Sequence, residues 1–352
     1  MNEFDFIRQL REQARARNFS SRLITGIGDD AAVVRESGNR DLVISTDLLI
    51  EEIDFHRETT PANLLGYKAL AVSLSDIAAM GARPLWALIS FGLPESTWDS
   101  DFKEQFFAGY LALADRYSVT LAGGDISKSQ QIVIDSIVAG EVKTGRALLR
   151  STAQPGDQIF VTGNLGGAAA GLKLIELGAR VNADSSRPET DARGQSGNET
   201  SDDHAIQSLL LRQLAPQPRV GWGMVLGEEQ LATSMIDISD GLSSDLHHLC
   251  TESNVGAIID ASSLPLDENV KHLCGRRALD PLALALHGGE DFELLFTVAP
   301  ENIVRLPKRV DGTFISRVGE VTAQSDRILI RERDRSWQLH PQGFTHFTRS
   351  KP

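Results

Sequence analysis

Cysteine is nearly missing from this chain. Its 352 residues include two, Cys250 and Cys274, too few for a disulfide framework and without the paired spacing of a metal site. That usage predicts a reducing, cytoplasmic setting. Positive charge is also in deficit: the formal net charge is -13, and Lys and Arg cluster nowhere. A nucleic-acid partner or an anionic membrane surface is therefore not expected. Long hydrophobic runs are absent too. The most apolar stretch, residues 64–93, is interrupted by Lys68, Asp76 and Arg83, and the charged amphipathic start "MNEFDFIRQLREQARAR" has no signal-peptide h-region. Several motifs are missing as well. No GxxxxGK[ST], GxSxG or HExxH occurs, and in "GIGDDA" Ala31 stands where a GxGxxG would need its last glycine. An acidic chain without a phosphate-binding loop of that kind can handle phosphates only by recruiting cations.

Hydrophobic residues make up 41% of the chain, enough for real cores, and the length favours two domains. Strand-like and helix-like runs alternate, which predicts a mixed α and β protein. "DLVISTDLLI" reads as a strand, "PANLLGYKALAVSLSDIAAMGA" as a helix opened by Pro61, "LWALISFGL" as a strand and "DFKEQFFAGYLALADRYS" as an amphipathic helix. The Gln-Pro-Gly-Asp turn at 154–157 is strong punctuation, so the boundary is placed near Arg150, giving domains 1–150 and 151–352. Residues 179–204 are polar with almost no aliphatic side chains. They read as a disordered insertion between two helices.

Acidic residues in apolar settings are the main positive signal. "GIGDDAAVV" carries Asp29 and Asp30, "ISTDLLI" Asp47, "AVSLSDIAAMGA" Asp76, "LAGGDIS" Asp125, "IDISDGLSSDL" Asp237, Asp240 and Asp245, and "HGGEDFELLF" Glu290 and Asp291. A buried carboxylate takes up a proton or finds a basic group or a metal. These stretches contain almost no Lys or Arg. Two ionised carboxylates about 4 Å apart repel by roughly 4 kcal/mol at an effective dielectric near 20. Gathering several in one cleft therefore calls for divalent cations. Gly123 and Gly124 would let backbone amides approach a ligand beside Asp125. His287, just before "GGED", is the histidine best placed to join such a site.

Taken in order, "GIGDDAAV", "STDLLIEEIDF", "YKALAVSLSDIAAMGARP", "LAGGDIS", "GRALLRSTAQPGD", "IDISDGLSSDL" and "GGEDFELLFT" resemble the thiamine-monophosphate kinases over nearly the whole chain. The resemblance implies a two-domain α/β mixed (α+β) fold of the aminoimidazole ribonucleotide synthetase type. An N-terminal ATP and metal domain with dimerising strands would precede a C-terminal α/β domain, and the chain would form a homodimer. It implies transfer of a phosphoryl group from ATP, the co-substrate, to thiamine monophosphate with several Mg2+ ions. By position, Asp30, Ser45, Thr46, Asp47, Asp76, Asp125, Asp237 and Asp240 would hold metal. Gly124, Asp125, Arg150 and Ser239 would meet ATP, and Asp54, Glu290 and Phe344 the thiamine moiety. No residue would act as acid or base.

Two departures stand out. Asp54 occupies a place where the family often has histidine, and Glu52 one where it has glycine. Among relatives of the superfamily, selenophosphate synthetase would want a reactive residue near the N-terminus, yet no cysteine precedes Cys250. The carbamoyl-dehydrating hydrogenase maturation protein would want a C-terminal cysteine, whereas this chain ends "FTRSKP". An aminoimidazole ribonucleotide synthetase-like enzyme and a non-catalytic nucleotide-binding regulator remain the alternatives.

Overall fold

Strands form where apolar and polar residues alternate, and helices where the apolar spacing lengthens. The computed structural model describes residues 3–16, 20–182, 201–277, 279–325 and 327–344. The first part of the chain runs α1 (Glu3–Arg15), β1 (Leu23–Thr25), β2 (Ala32–Arg35), β3 (Arg40–Ile50), α2 (Ala62–Ala79), β4 (Arg83–Leu93), α3 (Glu95–Trp98), α4 (Phe102–Tyr117), β5 (Thr120–Lys128) and β6 (Val133–Lys143). After a short 3-10 turn, Arg150–Thr152, come β7 (Gln158–Thr162), α5 (Gly167–Glu176), α6 (Ser201–Leu214), α7 (Val220–Glu228), β8 (Ser234–Asp237), α8 (Leu242–Ser253) and β9 (Gly256–Asp260). The remainder is α9 (Glu268–Arg277), α10 (Pro281–His287), β10 (Leu294–Val298), β11 (Arg309–Val310), β12 (Thr313–Thr322), β13 (Ile328–Glu332) and β14 (Arg335–Gln338). The mixed α and β character expected from the sequence is what the chain adopts.

A six-stranded sheet has the order β1-β2-β3-β6-β4-β5, and a second sheet runs β14-β13-β9-β12-β7-β10-β8 with β11 beside β12. The long helix α2 is buried along almost its whole length, Lys68, Ser73 and Ser75 included. A helix apolar on every side must be covered on every side. It packs against β3 and β6 on one flank, α4 on another, and α7, α6 and β8 from the later part of the chain. Small residues permit these approaches. A Cβ on Gly66 would lie 1.9 Å from the Phe106 carbonyl oxygen, and one on Gly223 2.2 Å from that of Ala78. One continuous core consequently joins Leu70, Leu74 and Ile77 of α2 to Leu209, Trp222 and Phe296 of the later half. A second core, with Ile236, Leu246 and Ile259, lies where α8 packs on the second sheet.

The polar insertion is shorter than its composition predicts. Residues 201–204 are the first turn of α6, where Asp202 and Asp203 face the positive end of the helix dipole. On the other side, the Asn182 N–H donates to Gln207 Oε1 at 2.8 Å. Residues 183–200, which hold the rest of that expectation, lie outside the described residues. Among the described residues no helix is long and apolar enough to cross a membrane.

Candidate active site

Three carboxylates from three distant parts of the chain converge where α2 meets β8. Asp30, in the loop before β2, Asp76, near the end of α2, and Asp237, the last residue of β8, bring one oxygen each within 4.8 Å of one another. Hydroxyl groups fix two of them. Ser45 Oγ donates to Asp76 Oδ2, and Ser75 Oγ donates to Asp237 Oδ2 at 2.6 Å. Helical geometry carries Ser73, Ser75 and Asp76 into this region within one turn, while β3 supplies Ser45 and Asp47 from its helix-facing side.

The electrostatic consequence is large. Burial, followed by the charges of Asp47, Asp237 and Asp30, holds Asp76 well above the ordinary carboxylate range. Burial and then Asp30 push Asp237 up to about 8. Burial and Asp30 raise Asp29 to about 7. Asp47 is raised to about 6, chiefly by burial, with Asp135 adding to it and a hydroxyl bond from Ser73 opposing. Oδ2 of Asp47 is buried with no partner. Several desolvated oxygens, one of them orphaned, make a donor set that suits a hard divalent cation.

A basic residue does reach the cluster, contrary to the local sequence around each Asp. Arg150 closes on Asp30 through Nη2 to Oδ1 at 2.6 Å and Nε to Oδ2 at 3.2 Å. Its backbone N–H donates to Asp29 Oδ1 at 3.2 Å. Burial opposes the guanidinium's charge, but Asp30, Asp29 and Asp237 outweigh it and lift the pKa above its ordinary value. Its carbonyl in turn accepts from Ser234 Oγ at 3.0 Å and Ser253 Oγ at 2.5 Å, which ties the turn to β8 and α8. One fork therefore neutralises one of the three converging carboxylates, and among the described residues no Lys or Arg forms an ion pair with Asp76 or Asp237.

The other residues singled out in the sequence fall around this cluster. Thr46 Oγ1 donates to Asp135 Oδ1 at 2.5 Å. Asp125 lies exposed on β5 opposite Ser90 and outside the triad of close oxygens. Gly124 beside it cannot be replaced without movement, since a Cβ would sit 1.9 Å from the Ile89 carbonyl oxygen. The Ser239 carbonyl accepts from the Glu290 N–H at 2.7 Å, and the Asp240 N–H donates to Asp245 Oδ2 at 3.2 Å. Phe344 is 56% exposed. Its neighbour Gly343 donates to Ser244 Oγ at 2.9 Å and approaches so closely that a Cβ would be 2.2 Å from the Asp240 carbonyl oxygen. Asp54 is used locally: its Oδ2 accepts from the Ile50 N–H at 2.8 Å and closes the turn after β3.

Two groups here, Lys68 and Asp135, were not singled out as site residues in the sequence. Lys68 pairs with Glu290, and Asp135 lies beside Asp47. Asp291 proves to be a helix cap, accepting from the N–H groups of Gly166 at 2.6 Å and Ala168 at 3.1 Å at the start of α5. It also pairs with Arg212, while Glu293 pairs with Arg212 and Arg219. His287 bonds through Nδ1 to Ser243 Oγ at 2.9 Å, and burial lowers its pKa.

Comparison with known proteins gives this arrangement a family. The AIR synthase related protein N-terminal domain matches residues 28–142 and the corresponding C-terminal domain residues 154–331. The thiamine-monophosphate kinase of Salmonella typhimurium is 36% identical over 98% of both chains. That of Bacillus subtilis is 33% identical over 99% of this chain and 100% of its own. The chain belongs to the thiamine-monophosphate kinase family. A solved structure described as AaThiL complexed with AMPPCP and TMP aligns with a TM-score of 0.79 at 30% identity, covering 98% of this chain and 97% of that one. Asp30, Asp47, Asp76 and Asp125 lie within the first matched segment of the family, and Asp237, Asp240 and Glu290 within the second. Arg150 lies in the interval between them.

Proposed function

We propose that this protein transfers the γ-phosphoryl group of ATP to thiamine monophosphate, giving thiamine diphosphate and ADP. The observation that carries the reading is the convergence of buried Asp30 and Asp237 with half-buried Asp76, together short of counter-charge, in a member of this kinase family. Asp30, Asp76 and Asp237, with Asp47, Asp240, Ser45 and Thr46 around them and Asp125 from β5, are the groups proposed to hold magnesium. Bound there, Mg2+ would supply the positive charge that lets two sets of phosphates approach each other. Gly124, Arg150 and Ser239 are proposed to meet the nucleotide, and Asp54, Glu290 and Phe344 the thiamine moiety. The AMPPCP and TMP held by the related structure are an ATP analogue and the corresponding acceptor.

The nucleophile in this reading is an oxygen of the substrate's own phosphate. Its second pKa near ~6 leaves it ionised at neutral pH. A bond forms from that oxygen to the γ-phosphorus as the bond from the γ-phosphorus to the bridging oxygen of ADP breaks. No proton has to move. What remains for the protein is alignment, exclusion of water and charge balance, for which the rigid α2, the β3 hydroxyls and the Arg150 fork are suited. We further propose a boundary between two domains near Arg150, a homodimer built on the exposed face of the first sheet around Leu48, which is 55% exposed, and a cytoplasmic location suited to two free cysteines.

Incubation of the purified protein with ATP, magnesium and thiamine monophosphate, followed by product identification, tests the assignment. Formation of ADP without thiamine diphosphate would sink it. The absence of a general base gives a second expectation. At saturating magnesium the rate should rise with pH as the acceptor loses its second proton near ~6, then level off. His287→Gln should keep that acidic limb at turnover within about 10-fold of the parent, because removing a true general base costs about 10²–10⁴-fold. Disappearance of the limb in this variant would show that a protein base is at work.

A further inference from the structure

Beside the carboxylate cluster, an ion pair is enclosed where α2 meets the loop before β10. Lys68, in the first half of α2, has a side chain only 3% exposed, and its Nζ lies 2.6 Å from Oε1 of Glu290, whose side chain keeps 30% exposure. The other Glu290 oxygen accepts from Nε2 of Gln213 on α6. A carboxylate only accepts, so this contact also assigns the Gln213 amide, with nitrogen toward Glu290. Glu290 itself has φ 65. That left-handed backbone is uncommon for a residue with a Cβ and persists where its surroundings over-determine it. Here the surroundings are Lys68, Gln213 and the Ser239 carbonyl.

Lysine is seldom buried without a partner, and here the partner is Glu290. The charge makes sense through its distance from the site. Lys68 and Asp76 lie on the same helix, eight residues and so about 12 Å apart along its axis. Whatever Lys68 holds is thereby set at a constant distance from the converging carboxylates.

We propose that Lys68, seconded by Gln213, is a positioning residue that fixes the Glu290 carboxylate as a hydrogen-bond acceptor for the organic end of the phosphorylated substrate. This rests on the assignment of thiamine monophosphate made above. The charges of Lys68 and Glu290 cancel, so Glu290 offers directed lone pairs rather than net negative charge. A donor such as the exocyclic amine of the substrate's pyrimidine ring fits it better than the delocalised thiazolium cation.

Steady-state kinetics on Lys68→Met, Lys68→Arg, Glu290→Gln and the Lys68→Met/Glu290→Gln double variant test this. Lys68→Met should raise KM for thiamine monophosphate about 10-fold or more while KM for ATP stays within about 2-fold, the mark of lost binding to one substrate. Lys68→Arg should recover part of the loss. Adding Lys68→Met to Glu290→Gln should raise KM little further, because residues acting through one contact are not additive. Equal rises in both KM values, or full multiplication in the double variant, would overturn the proposal. Should Lys68→Met fail to fold, Gln213→Leu removes the other tie to the same carboxylate. It should produce the same selective rise, and an unchanged KM would count against the proposal equally. Turnover of thiamine monophosphate by the unaltered protein is measured first. Its absence rejects the substrate assignment, whereas its presence with unselective variants rejects only the role of Lys68.

Discussion

Asp76→Asn is expected to lower turnover on the order of 10³-fold at saturating magnesium, the scale on which single preorganised charge-stabilising groups act, and to raise the thermal midpoint of the metal-free protein. The two effects have one cause. Desolvation, and then the charges of Asp47, Asp237 and Asp30, hold the pKa of Asp76 well up. Without a cation its charge is a liability, and an amide of the same shape relieves it while still accepting from Ser45. With a cation, one of the donor oxygens has become a weaker ligand. The neighbouring acids extend the expectation to pH. In the folded protein Asp237, Asp29 and Asp47 bind protons up to about 8, 7 and 6, against an ordinary value of 3.8. The folded state therefore holds more protons than the unfolded one above that ordinary value. Their stabilising contribution is complete below it and is lost progressively as pH rises from about 4, until the last of the three has passed its raised value at about 8. Thermal melts of the metal-free protein across this window should show the decline, and magnesium, which favours the deprotonated forms, should flatten it. A variant with near-normal turnover, or a parent whose stability rises across the window, would remove Asp76 from the centre of the site.

Arg150→Met should destabilise the metal-free protein by about 3–5 kcal/mol, the usual penalty for leaving half of a buried ion pair behind. The Asp30 side chain is completely enclosed and receives the guanidinium on both oxygens. Methionine fills much of the arginine volume, so the loss reads chiefly the charge. Magnesium in excess should return part of that stability, since a cation beside Asp30 replaces the missing charge. Urea denaturation with and without the metal measures the difference. An equal loss in both conditions would mean that Arg150 matters through packing and the tie of its turn to Ser234 and Ser253, and that the metal does not share Asp30 with it. Affinity for ATP should fall in the same variant, because the guanidinium is the cation closest to the converging oxygens.

Much of the site was legible because its residues fall in short, ordered motifs. Asp30, Asp76 and Asp237 each sit among apolar and small residues, and a carboxylate in such a setting announces an unmet need. The counter-charges were not legible. Arg150 reaches Asp30 from a turn far along the chain, and Lys68 reaches Glu290 across two packed elements, with no spacing rule to link either pair. Asp291 looked like part of the acidic set until its bonds to Gly166 and Ala168 made it a cap. A helix cap supplied from another part of the chain leaves no local pattern. The polar run at 179–204 was read by composition, which cannot say where α6 begins, because a polar first turn and a polar loop have the same residues.

By itself the sequence determined the alternation of strands and helices and which acids sit among apolar and small residues. Each follows from periodicity or transfer energetics within a few consecutive residues. Tertiary structure alone decided which acids meet, which are neutralised by Arg150 and Lys68, and which, like Asp291, cap a helix from another part of the chain. Those outcomes depend on distances between segments far apart in the chain. Such distances are set when α2 is enclosed by the first sheet and α4 from its own half and by α6, α7 and β8 from the other, and residue type alone does not encode them.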